Sequence, residues 1–148
     1  LGQSKSAQFS EADKQALRDK IRNLYVADYT NTWRAALNEI DMKYFSDIND
    51  AVTVLDNLTG NIEPLQRLLR TLDDNTKMFA ALPKDDSAQK ELLKSPKYTV
   101  ASMIEAPFSD LNNMIKPVGD KPAYLHEVLA SVEELKNYLK SIQDAPDV

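Results

Sequence analysis

Residues 10–42 read SEADKQALRDKIRNLYVADYTNTWRAALNEIDM, with no Gly or Pro anywhere in the run. Within it Leu17, Ile21, Leu24, Tyr25, Tyr29, Trp33, Ala36, Leu37 and Ile40 recur at steps of three and four. That is the spacing of one face of an α-helix. Ser10 offers an N-cap hydroxyl, and Glu11 and Asp13 put carboxylates in the first turn, where the helix dipole favours negative charge. An unbroken helix over this stretch is roughly 45–50 Å long at 1.5 Å per residue. Such a helix at the start of a 148-residue chain predicts an all-α fold.

The pattern continues C-terminally. Ser46-Asp47 opens a second predicted helix to Leu58, with Ile48, Ala51, Val52 and Leu55 inward. Gly60 is expected to end it in the left-handed conformation that glycine adopts cheaply. Asn61 can then cap a third helix with Pro64 in its first turn and Leu65, Leu68, Leu69, Leu72 and Met78 or Phe79 on its apolar face. A short helix is predicted over 87–94 and a fourth main helix over 100–116, its inward side Met103 or Ile104, Phe108, Leu111, Met114 and Ile115. Pro107 marks either its true start or a kink. After the break at Pro117-Val118-Gly119-Asp120, Asp120 and Pro122 are expected to open a last helix. Its stripe is Leu125, Val128, Leu129, Val132, Leu135, Leu139 and Ile142, and Ala145-Pro146 ends it. Short loops between amphipathic helices predict an elongated antiparallel bundle of about five helices with a long first one. The expected organisation is a flexible segment over 1–9, one helical domain over 10–145 and a tail at 146–148.

Composition narrows the function. The net charge of −5 repels phosphate backbones, which argues against a nucleic-acid partner. No apolar run is long enough to span a bilayer. Without cysteine there is no thiol catalysis, thiolate metal site or disulfide, and either redox compartment fits. The start Leu1-Gly2-Gln3 lacks both an initiating Met and a signal-peptide core, and the chain reads as part of a longer protein.

Catalytic constellations are sparse. The one histidine, His126, has no G-x-S-x-G elbow to serve. Ala130 stands where H-E-x-x-H needs its second His, and Ala123 where a di-iron E-x-x-H needs its carboxylate. Asp47, Asn49 and Asp50 lack the Gly and closing Glu of a calcium loop and suit helix capping. Asp73-Asp74 and Asp85-Asp86 are read as solvated charge near helix ends. No catalytic, metal or cofactor-binding residue is therefore expected, and the chain is read as a non-enzyme. The aromatic ladder Tyr25, Tyr29 and Trp33 fits core packing, with Tyr29 as a candidate partner contact.

The segment Leu24-Tyr25-Val26-Ala27-Asp28-Tyr29-Thr30-Asn31-Thr32-Trp33 resembles the L-Y-x-x-D-Y-x-x-x-W signature of IcmF-related (TssM) proteins, inner-membrane components of type VI secretion systems. Ala51 to Leu55, Gly60, the run Pro64-Leu65-Gln66-Arg67-Leu68-Leu69, then Ile104, Phe108 and Leu111, and Leu125 to Leu139 follow in that family's order, so the likeness runs over about residues 17–145. The resemblance implies a periplasmic helical segment of an inner-membrane protein, placed ahead of a β-rich domain that engages an outer-membrane lipoprotein. It implies a structural role in the secretion envelope complex, with other envelope subunits, including an inner-membrane partner, as neighbours. It makes Leu24, Tyr25, Asp28, Tyr29 and Trp33 the signature positions, mainly core. The related type IVB secretion component and a generic helical protein-binding module are the alternative readings.

Overall fold

The computed structural model describes residues 9–79 and 82–144. The expected flexible segment over 1–9, apart from Phe9, and the tail at 146–148 lie outside them. The regular structure of the described residues is helical, with no β-strand among them. The chain groups into two compact units, Leu1–Glu39 and Ile40–Val148, so the division falls inside the span 10–145 expected of one helical domain.

The first unit is one helix, α1, over Glu11–Asn38. At 28 residues it extends about 42 Å. Its start is the one the sequence indicates. Ser10 accepts from the Asp13 N–H at 3.1 Å, and the Asp13 carboxylate accepts from the Ser10 N–H at 3.0 Å. The reciprocal box satisfies two donors that a helix start leaves open. The Ser10 hydroxyl and N–H hold the Asp13 carboxyl below its ordinary range.

The second unit contains six helices and one 3-10 turn among the described residues. They are α2 (Ile48–Thr59), α3 (Pro64–Thr76), α4 (Asp86–Lys94), α5 (Pro96–Glu105), the 3-10 turn Ala106–Phe108, α6 (Ser109–Asn113) and α7 (Tyr124–Gln143). Asp47 caps α2 by accepting from the Asp50 N–H at 2.8 Å, and Asp85 caps α4 through the Ala88 N–H at 2.8 Å. Pro107 neither starts the predicted fourth helix nor simply kinks it. It sits in the 3-10 turn that divides that helix into α5 and α6, because it lacks the N–H an α-helix interior requires.

Two turns differ from expectation. Gly60 is extended (φ −73°, ψ 176°), so its role is space. A Cβ there would lie 2.8 Å from the Asp56 carbonyl oxygen. The left-handed residue is Glu63 (φ 46°), the N-cap of α3, which makes no side-chain cap bond, and Asn61 does not cap that helix. Gly119 (φ 60°) turns the chain between Val118 and Lys121, whose backbones exchange two hydrogen bonds of 3.1–3.2 Å. That turn delays α7 to Tyr124 with Ala123 at its N-cap, so Asp120 and Pro122 lie upstream of the helix.

Two packing regions form the body. Leu69 and Leu72 of α3 meet the α5–α6 segment, where Ile104 and Phe108 are almost wholly enclosed. The second region is α2 against α7, the most extensive helix pair. Gln143 bonds Asn49 at one end of it, and Lys136 reaches Asp56 at 3.0 Å toward the other. Rising numbers on α2 thus meet falling numbers on α7, and the pair is antiparallel. Ala51, Val52 and Leu55 are buried there as predicted, and Leu125 is buried, also as predicted, at the start of α7, where its N–H donates to the Met114 carbonyl. Ile48, Leu135 and Ile142 are not: all three are exposed.

Candidate contact surface

The buried residues of α1 are Val26 and Thr30. Tyr29, Trp33 and Leu37 are half-buried. Successive helical residues lie 100° apart, so Leu24 and Tyr25 point away from the Val26–Thr30 line. They are 61% and 54% exposed. The expectation of core packing therefore fails at Leu24 and Tyr25, and Asp28 is exposed as well. The physical reason is that the three-four steps of this run drift round the helix at 100° per residue, so Leu17, Ile21, Leu24 and Tyr25 lie on a different side from Trp33 and Leu37. Leu17 and Ile21 extend the same exposed face at 51% and 57%. The rings of Tyr25 and Tyr29 stack with centroids 5.9 Å apart and 28° between planes, which stiffens this part of the surface. Polar and apolar residues of α1 are not segregated onto opposite sides, unlike those of a helix built to lie on one core.

The residues weighed for chemistry do not converge. His126 is exposed in the first turn of α7. Asp73 pairs with Lys116 at 3.0 Å, and Asp50 pairs with Lys43 at 2.9 Å. No group of three His, Cys, Asp or Glu among the described residues is placed to hold a metal ion. The open depression at α4, lined by Pro83, Ala88, Leu92 and Ser95, includes one carboxylate, Glu91.

Two polar sites inside the body escaped the sequence reading. Lys136 is 7% exposed, and its ammonium lies 2.7 Å from Glu133 and 3.0 Å from Asp56. Lys140 stands 3.9 Å from the same Asp56. Hydrogen bonding to Lys136 holds both carboxyls below their ordinary range, and Glu133 followed by Asp56 raises Lys136. At the other site Asn112 donates to the Thr76 hydroxyl at 2.9 Å, which donates to the Leu72 carbonyl at 2.8 Å. Both residues are fully enclosed. A common signal runs through them: Asp56 follows Val52 by four, Thr76 follows Leu72, Asn112 follows Phe108 and Lys136 follows Val132. Each polar residue occupies the next position of an apolar stripe.

These networks join helices to each other, whereas Leu24, Tyr25 and Asp28 of the L-Y-x-x-D-Y-x-x-x-W order are presented outward on α1. A family model described as IcmF-related, intracellular multiplication and human macrophage-killing, matches residues 1–77. The chain belongs to the IcmF-related family. The match takes in α1, α2 and α3, hence every signature position. No curated protein and no solved structure matches the chain. Membership suggests a membrane-associated component of a secretion system. No helix among the described residues is long and apolar enough to cross a membrane.

Proposed function

We propose that this IcmF-related segment is a structural module of the type VI secretion envelope complex. It stands in the periplasm, spaces neighbouring domains and offers protein-contact surfaces to other envelope subunits. The outer-membrane lipoprotein is engaged by a β-rich domain elsewhere in the protein, and an inner-membrane partner is among the neighbouring subunits. The observation that carries this reading is the set of signature side chains, Leu24 and Tyr25, held exposed on a capped helix of an IcmF-related chain. Exposed aromatic and aliphatic groups on a rigid element suit protein contact, and the acidic balance disfavours nucleic acid. The segment performs no catalysis in this reading.

Two measurements test it. The chain has no cysteine, and Tyr44 is 90% exposed, so Tyr44→Cys in the intact protein provides a compartment probe. A membrane-impermeant maleimide admitted only through the outer membrane labels it above the unsubstituted control. Labelling that requires lysis of the inner membrane overturns the periplasmic placement. For the structural role, Leu24→Asp with Tyr25→Ser in the intact protein abolishes secretion while the protein still accumulates. Full secretion would sink the contact reading.

A further inference from the structure

The exposed line of α1 has a symmetry of its own. Viewed down the helix at 100° per residue, Lys14, Leu17, Arg18, Ile21, Leu24, Tyr25 and Asp28 fall within about 60° either side of Ile21. Lys14 and Asp28 stand at equal sequence distances before and after Ile21 and close to the centre line. They are about 21 Å apart along the axis. Leu17 and Tyr25 are likewise equidistant from Ile21, and all four apolar members are more than half exposed.

We propose that this face binds the same face of a second copy of the chain, as an antiparallel helix pair centred on Ile21. A two-fold interface presents one patch to itself. In the antiparallel arrangement Lys14 of each copy faces Asp28 of the other, Leu17 lies beside Tyr25, and Ile21 meets Ile21. A parallel pairing would set Lys14 against Lys14 and Asp28 against Asp28, a like-charge arrangement that complementary interfaces exclude. The charge order therefore selects both the partner and the direction. Lys14 already contacts Glu11 at 2.7 Å, but both side chains are well exposed (49% and 80%). Such pairs contribute little and exchange readily. The inference takes α1 as a contact surface, as above, but needs nothing of the secretion assignment.

The test is self-association of the purified chain by sedimentation equilibrium over a wide concentration range at low salt. A concentration-dependent dimer is expected, weakened at least about tenfold by Ile21→Lys, with helicity followed by circular dichroism as the folding control. Lys14→Asp or Asp28→Lys alone weakens it, and the two together restore it. In a chain without other thiols, Ile21→Cys cross-links to its counterpart on oxidation, whereas Lys14→Cys does not. A chain monomeric at every concentration overturns the proposal and leaves the face to another protein. Cross-linking through Lys14→Cys, or a double charge swap that fails to restore association, overturns the antiparallel register. Loss of secretion in the Leu24/Tyr25 variant with a monomeric chain would separate the two readings.

Discussion

In the helical body, apolar residues spaced by three and four close onto one another: Leu72 is fully enclosed, with Ile104 at 1% and Phe108 at 2% exposure. In α1 the same spacing leaves Leu17, Ile21, Leu24 and Tyr25 more than half exposed. Both regions have well-formed helices, and α1 has the more complete N-terminal box. Helix formation is therefore decided locally, by capping and by the absence of breakers, whereas burial is decided by which other surface lies within reach. The body supplies such a surface for α3 through the α5–α6 segment. Periodicity reports the first property only.

The largest expected effect breaks the comparison on the body side. Phe108→Ala removes a fully packed ring and costs about 3–5 kcal/mol by urea unfolding. A loss below about 1 kcal/mol would mean that the α3–α5–α6 core is not what holds the body together. Next comes Thr76→Val, which deletes the acceptor of the enclosed Asn112 amide and leaves its N–H without a partner. A loss of about 1–3 kcal/mol is expected. The double change Thr76→Val, Asn112→Leu recovers part of it if the cost is that of an unpaired group rather than of lost shape.

Ser10→Ala sharpens the contrast from the other side. It removes the cap hydroxyl of α1 at a cost of about 0.5–2 kcal/mol, read as amide exchange rising in the first turn of α1 while α3 and α5 keep their protection. Uniform loss of protection through both units would show that α1 and the body unfold as one, contrary to the division between Glu39 and Ile40.

The α2–α7 junction gives a pH signature. Asp56 and Glu133 have lowered pKa values in the folded chain through hydrogen bonds to Lys136. Their contribution is fully present above the ordinary carboxylate range, near pH ~4, and is lost as pH falls through the lowered folded values. Lys136 is raised, so its contribution holds below its ordinary value and fades as pH rises through the folded one. Lys136→Met should flatten both limbs of the stability–pH curve relative to the native chain. Unchanged acid and alkaline limbs would mean that the solvent-facing carboxylates hold Lys136 too loosely to matter.

Much of the architecture is legible in the sequence. The all-α class, the long first helix, the Asp47 cap, Pro64 at the start of α3 and the break at Gly119 all follow from residue types whose backbone preferences act locally. The division of the predicted fourth helix at Pro107 and the late start of α7 are not, because they depend on where the neighbouring turn places the chain. The buried polar residues were missed for a related reason. The stripe reading puts Leu135 inward, three residues after Val132, whereas Lys136 stands four after it. Periodicity admits either step, and only the presence of Asp56 on α2 decides for the lysine. The signature residues were legible as a pattern while their exposure was not, since the sequence of one chain does not state what meets it.

The smallest predicted effect is the one that tests this lesson most directly. Leu24→Ala on the exposed side of α1 should change the stability of the isolated chain by no more than about 0.5 kcal/mol, because a side chain already 61% exposed has little burial to lose. Alanine also favours the helix slightly over leucine, which offsets part of the lost contact. The same substitution in the interior at Leu72 should cost about 2–5 kcal/mol, although the chemistry deleted is identical. Equal costs at the two leucines would show that Leu24 is covered within a single chain and would remove the reason to treat α1 as a surface for another molecule.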